Sequence, residues 1–412
     1  MTKNYIYDAI VIGAGPSGLI CAGRAAERGL KVLLLEKNAA CGRKLLISGK
    51  GRCNFTNAGD IDKFLAEFSK SGIFLRNAFS RFFNKELCAF FEKRGVKVKI
   101  ERGGRIFPAS DRAKDILSAL IGYIKANKVI LKLNAAARDI SAKEGYFLVE
   151  TEEGKYFANK VVVATGGLSY PETGSEGFGF KIAQKFGHNV IEPKPGLVGL
   201  VIREDIPRRL QGLSLENVEV SLLSENKTCE KRFGDMLFTH YGLCGPIILD
   251  LSNQAVDLLR QGRSVSVSID LKPALDFVKL DSRLLREFNS CPNKTLKNIF
   301  VELLPRKFII EFLKYCNIDG NIKANQVTKE MRQRLIKSLF DFKLSIIKAR
   351  PIEEAIVTRG GVDTKEINPQ TMESRIIKNL YFIGELIDVD AKTGGYNLQA
   401  AFSTGYVCAD NL

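Results

Sequence analysis

The chain has 412 residues, 45% of them hydrophobic and 26% charged, enough to bury a substantial core in two or three domains. Nine cysteines without a CxxC pair argue against a disulfide framework, two histidines (His188 and His240) argue against a histidine-based metal site, and no apolar run is long enough to span a bilayer. The expectation is therefore a cytoplasmic protein without a metal or a membrane, and its net charge of +16 points to a polyanionic partner.

The first predicted strand, Tyr7 to Ile12, is short, apolar and β-branched, as a buried parallel strand is. It runs into Gly13-Ala14-Gly15-Pro16-Ser17-Gly18, and a helix is predicted over Leu19 to Arg28. In a dinucleotide-binding turn the first glycine permits the tight turn, the second lets backbone approach a pyrophosphate, and the third allows helix and strand to pack closely. The helix N-terminus then faces the phosphates. A second predicted strand, Lys31 to Leu35, ends in Glu36, placed to accept hydrogen bonds from an adenosine ribose. The acid favours FAD or NAD over NADP and does not choose between the first two.

Further on, Ala113 to Lys125 reads as a helix and Val129 to Leu133 as a strand. Phe147 to Thr151, Tyr156 to Ala158 and Lys160 to Ala164 read as a small antiparallel meander returning to the parent sheet. The meander ends in Ala164-Thr165-Gly166-Gly167, expected to form a second wall for the same ligand. From about Pro193 the texture changes to short strands such as Val218 to Leu223 and Ser264 to Ile269, then to helical patterns over Leu284 to Phe342. The chain returns near Glu353 to Val362, and Asn379 to Glu385 is again a buried strand ending in Gly384 and Glu385. The nucleotide domain is thus expected to be discontinuous. Lysine and arginine are in excess between Arg43 and Arg138, and again around Lys294 to Arg350.

Three separated sites, the first glycine turn, Ala164 to Gly167 and the Gly384-Glu385 strand, resemble two-domain FAD flavoproteins. Longer stretches narrow the likeness: Gly42 to Asn54 (GRKLLISGKGRCN), Gly104 to Asp111 (GRIFPASD), Gly167 to Pro171 (GLSYP), Leu237 to Gly242 (LFTHYG) and Thr393 to Gln399 (TGGYNLQ). These resemble the BaiN/RdsA-type bacterial flavoproteins over nearly the whole chain. The resemblance implies an α/β fold: a discontinuous Rossmann-like FAD-binding domain with an inserted β-barrel and helical subdomain. The expected division is 1–192 and 353–412 for the FAD domain and 193–350 for the insertion, with the barrel at about 193–270 and 343–352 and the helices at about 271–342. Phe178 and Cys244 depart from the family's usual Asp and Ser.

The resemblance also implies chemistry: reduction of a conjugated C=C bond, either in a bile-acid intermediate or at a uridine of 23S ribosomal RNA, with amine oxidation attached to some relatives. Noncovalent FAD would be held by Gly13, Gly15, Ser17, Gly18, Glu36, Gly166, Gly384 and Glu385. Arg43 and Lys44 would face its phosphates or ribityl chain. The turn carrying Gly395, Asn397 and Leu398 leads into a predicted helix, Gln399 to Tyr406, whose N-terminus would stabilise negative charge on the reduced ring. A second GxGxxG unit is absent, so NADH or NADPH is expected as a transient electron donor.

Cys53 is the first candidate proton donor, an exposed thiol poised by Lys50 and Arg52, with His240 and Tyr396 next. The leading expectation is an FAD-dependent reductase acting on ribosomal RNA through a basic surface that includes Arg76, Arg81, Lys85, Lys93, Arg94, Lys97 and Lys99. The alternatives are a small-molecule ene-reductase or amine oxidase, and a flavin-bearing redox sensor without turnover.

Overall fold

A computed structural model describes residues 6–69 and 71–412, which form two compact units. The first comprises the chain up to Gly196 together with Ile352–Leu412, and the second is Leu197–Pro351. Each has its own apolar core.

In the first unit β1 (Ile6–Ile12) lies between β2 (Val32–Leu35) and β9 (Lys155–Val163), parallel to both. Their apolar residues are buried on both faces of the sheet, which is why these strands read as continuous apolar runs. The parallel strand β6 (Ile130–Lys132) extends the sheet beyond β2, and β18 (Leu380–Phe382), from the C-terminal segment, pairs parallel with β9. Both ends of the chain therefore build one sheet. The antiparallel strands β7 (Ala137–Lys143) and β8 (Tyr146–Thr151) complete it.

The predicted meander differs in detail. Tyr156 to Ala158 and Lys160 to Ala164 are not two strands but the single long β9, whose first half pairs with β8 and whose second half enters the buried parallel layer. Its exposed Asn159 marks the passage between those environments rather than a turn.

A small sheet of β3 (Thr56–Asn57), β5 (Arg105–Pro108) and β4 (Val98–Ile100) and a ribbon of β10 (Val190–Gly196) with β17 (Val357–Val362) complete this unit. The first helix, Pro16–Glu27, and the C-terminal helix, Tyr396–Asp410, pack together where Gly405 meets the backbone of Ser17.

The second unit contains a closed antiparallel barrel in the order β11 (Leu200–Ile202), β14 (Gly242–Cys244), β13 (Lys227–Phe238), β12 (Ser214–Ser224), β15 (Val265–Asp270) and β16 (Phe342–Ala349). Closure removes the free strand edges that would otherwise template association. Helices between β15 and β16, among them Phe277–Ser290, Arg306–Tyr315 and Lys329–Phe340, bury Phe300, Phe308 and Phe312 in the same core as the barrel's Phe238 and Phe342. The whole is the Rossmann-type α/β fold with an inserted barrel that the motifs imply.

One buried polar group in the first unit carries a pH signature. The His188 Nε2 lies 2.7 Å from the Ser374 hydroxyl and its Nδ1 lies 3.2 Å from Glu366, with Phe382 against the ring. Burial pushes its pKa below the ordinary value, against the pull of Glu366. The unfolded chain then takes up a proton below about pH 6.5 that the folded chain resists, so stability falls as pH drops through that range. In thermal unfolding from pH 7.5 to 5.5, the stability advantage of the wild type over His188→Gln is expected to shrink. An advantage that grows on acidification would show instead that the Glu366 charge dominates.

Candidate dinucleotide site

The turn after β1 is set by contact distances. A Cβ on Gly18 would lie 1.9 Å from the Gly13 carbonyl oxygen, and one on Gly13 would lie 2.5 Å from the Ala164 carbonyl oxygen, so the helix and the β9 end close directly on the turn. Gly15 is different: a Cβ there would meet nothing within 4 Å. Its backbone faces open space at the start of the Pro16–Glu27 helix, which has no side-chain cap. Uncapped N–H groups at a helix start, beside a glycine that permits close approach, are a phosphate-binding arrangement.

Glu36, only 7% exposed, accepts from the Ala14 N–H at 2.9 Å through one oxygen and from the Asn38 backbone and side-chain amides through the other. It braces the turn as well as facing its rim. A carboxylate offers about four acceptor positions and three are used here, which leaves capacity for a ribose hydroxyl. Arg43 is exposed and donates to Asn38 Oδ1 at 3.0 Å, next to Glu36.

Gly166 and Gly384 also close on the site by contact: a Cβ would meet the Ser175 hydroxyl at 2.8 Å and the Ser17 hydroxyl at 2.5 Å respectively. Lys44 and Glu385 do not stand as separate ligands. The Lys44 ammonium donates to the Glu385 carboxylate at 2.6 and 2.8 Å and to the Ser169 hydroxyl at 2.6 Å, and Glu385 also accepts from the Thr358 N–H at 2.8 Å. Lys44, expected to face the phosphates or the ribityl chain, is held by Glu385 and Ser169 and ties the 169, 358 and 385 segments together. Ser169 and Thr358 were missed as site residues because their partners lie far away in sequence.

The start of the C-terminal helix is stitched to the segment after Cys53. Gly395 adopts φ +98°, and a Cβ there would lie 2.4 Å from the Thr56 carbonyl oxygen, so only glycine fits. Thr56 donates to Gln399 at 2.5 Å, and Asn57 donates to the Gly394 carbonyl at 3.2 Å. The helix begins at Tyr396, three residues before the predicted start. Asn397 pins Ala391 with two hydrogen bonds of 2.9 Å, and Leu398 packs against the core. Among the buried oxygens of this unit without a hydrogen-bond partner are Asn54 Oδ1 and Thr165 Oγ1. Asn54 Oδ1 lies 2.9 Å from the position of a Gly395 Cβ.

Cys53 is not the exposed, poised thiol that was expected. It is 0% exposed, burial pushes its pKa up to about 12, and it has no surface to offer a ligand. Arg52 does not act on it: the guanidinium lies over the Phe107 ring and is bound by Glu101 and Asp111. Tyr396 is half-buried at the first position of the C-terminal helix, edge-on to Phe64. His240 is exposed in the second unit, between β13 and β14, with its ring against Tyr241. Phe178 opens the helix Phe178–Lys185 and packs against the first core.

The donor set fits FAD. The bare Gly15 backbone, the uncapped helix, the spare capacity of Glu36 and the unpartnered Asn54 oxygen beside the Gly395 turn suit a ligand with phosphates, hydroxyls and ring N–H groups. Among the described residues, no helix is long and apolar enough to cross a membrane, and no cluster of His, Cys, Asp and Glu could hold a metal ion.

Two substitutions separate packing from binding. Gly15→Ala is expected to leave the melting temperature unchanged while weakening FAD retention, because its methyl enters open space. Gly18→Ala is expected to cost about 3 kcal/mol or more of stability through the clash with Gly13. Unfolding curves and the flavin released by each purified variant test both, and equal effects from the two would contradict this geometry.

Comparison with known proteins agrees with the fold. The family model for the HI0933-like protein Rossmann domain matches residues 7–411. The chain is 34% identical over 406 residues to the ribosomal RNA dihydrouridine synthase of Escherichia coli, covering 98% of both chains. It is 30% identical over 400 residues to the 3-dehydro-bile acid delta(4,6)-reductase of Clostridium scindens, covering 96% of this chain and 97% of that one. In fold alone it is similar to a 3-ketosteroid delta1-dehydrogenase from Sterolibacterium denitrificans, with a TM-score of 0.53, 13% identity and coverage of 98% of this chain and 99% of that one. The glycine turn, the sheet built from both chain ends, the family match over residues 7–411 and near full-length identity of 30% to 34% together establish that the chain belongs to the HI0933-like Rossmann family of flavoprotein oxidoreductases.

Proposed function

We propose that this protein is an FAD-dependent reductase of an electron-poor C=C bond, and that its substrate is a uridine of 23S ribosomal RNA, reduced to dihydrouridine at the expense of NADH or NADPH. The observation that carries the substrate is the net charge of +16 on a chain 34% identical, end to end, to a ribosomal RNA dihydrouridine synthase. A bile-acid-like enone is the second reading, favoured by the 30% identical relative, but a steroid acid needs no such surplus of cations.

FAD, when bound, supplies the two-electron chemistry of the reduction. The chain's own residues do the rest. The N–H groups at the start of the Pro16–Glu27 helix would hold the FAD phosphates, and Glu36, which holds the turn, would accept from its ribose. The Lys44–Glu385–Ser169–Thr358 network fixes the wall opposite. The N-terminus of the C-terminal helix brings a partial positive charge to the Gly395 turn, where it would favour negative charge on a reduced ring. Adding hydrogen across C=C also needs a proton, and with Cys53 covered, the Tyr396 hydroxyl is the candidate donor in this unit. His240 is the candidate in the other.

Mass analysis of 23S rRNA from a strain lacking the gene is expected to show one dihydrouridine fewer than the parent, and unchanged dihydrouridine content would refute the RNA reading. Rapid mixing with NADH or NADPH is expected to bleach the flavin with at least one of them. Tyr396→Phe is expected to lower turnover by about tenfold to a hundredfold at normal flavin content. Unaltered turnover would pass the role to His240.

A further inference from the structure

A second concave site lies in the first unit, away from the glycine turn. It is a groove of about 970 Å³ between the end of helix Asn84–Glu92, the segment after it and helix Ala113–Ala126. Its floor is Arg94, whose guanidinium lies 3.7 Å from the Phe90 ring and 4.1 Å from the Tyr123 ring and donates to the Phe90 carbonyl at 2.8 Å. The two rings, crossed at 86°, hold this cation in place before any ligand arrives. Lys93 and Lys97 stand exposed on the rim, and neither has an ion pair among the described residues.

The two lining carboxylates are already engaged. Glu27 is bound by Arg24 and the Tyr123 hydroxyl, and Asp115 by Ser110 and Arg112. The groove therefore presents Lys93, Arg94 and Lys97 as cations without a carboxylate in hydrogen-bond contact. Gly95 and Gly122, where an added Cβ would meet nothing within 4 Å, keep its walls low. Three cations along one open groove can meet successive phosphates of a single strand.

We propose that this groove is a docking site for the sugar-phosphate backbone of RNA, holding a strand that flanks the modified nucleotide. The inference rests on the RNA reading of the function and adds a place on the molecule to it. The groove contributes affinity and register, while the bases remain unread.

The test is binding of the flavin-loaded protein to a single-stranded 23S rRNA fragment across a salt series. Lys93→Glu/Lys97→Glu is compared with the wild type and with Lys143→Glu/Lys181→Glu, which changes the charge equally on exposed residues elsewhere. The groove variant is expected to bind at least about tenfold more weakly at low salt. The slope of log affinity against log salt should fall by about 1.4, two phosphate contacts on a single strand, while flavin content and melting temperature stay unchanged. The control should lose much less. If the wild type binds RNA and the two variants weaken it equally, the groove is refuted and the RNA reading stands. If the wild type binds no RNA, both fall. Binding of 5′-UMP or inorganic phosphate that depends on Lys93 and Lys97, without an effect on RNA, would also overturn the proposal by making this a small-anion site.

Discussion

The 1.9 Å between the Gly13 carbonyl oxygen and the position of a Cβ on Gly18 is the constraint on which the first unit depends. Because nothing larger than hydrogen fits there, the Pro16–Glu27 helix starts directly on the end of β1, and its uncapped N–H groups face the rim of the turn. The C-terminal segment is then fitted to that helix with the same economy. Added Cβ atoms on Gly384 and Gly405 would lie 2.5 Å from the Ser17 hydroxyl and 2.4 Å from the Ser17 carbonyl oxygen. Ser17 is thus clamped from two sides by residues more than 350 positions away, which explains how a domain interrupted by a long insertion closes into one sheet and one core.

Around this clamp the polar groups divide into those that brace and those with capacity to spare. Lys44, Glu385, Ser169 and Thr358 satisfy one another. As a partly exposed ion pair the Lys44–Glu385 contact alone adds about 1 kcal/mol or less. Its importance is that it ties three segments into a wall. Glu36 does both tasks, holding the Ala14 N–H and keeping an acceptor position open, while the Asn54 and Thr165 oxygens are buried without partners. Such groups cost about 1–3 kcal/mol each when left unpaired, so a ligand that satisfies them gains what the fold gives up.

Much of this was legible in the sequence where local physics decides. The Gly13 to Gly18 turn after an apolar strand, the acid ending the next strand and the buried run before Gly384 follow from backbone sterics and strand periodicity. The misses arise where tertiary context decides. Asn159 divides β9 into two apparent strands in the sequence because a strand that passes from a half-exposed antiparallel pair into a buried parallel layer changes its pattern midway. No local signal pairs Lys44 with Glu385, 341 residues away, and none shows that Cys53 is completely buried. Arg52 was read as a partner of the thiol by adjacency, yet a guanidinium goes where carboxylates and a ring receive it.

A site built from the Gly15 backbone, Glu36 and the Gly395 turn should take up FAD from solution. Titration of flavin-free protein with FAD, FMN and NAD, followed by calorimetry and by the flavin absorption band, measures this. Saturable one-to-one binding of FAD, with FMN much weaker for want of the adenosine half that Glu36 would receive and NAD not competing, is the expected result. Binding of NAD in place of FAD, or no binding of any dinucleotide by folded protein, would contradict it.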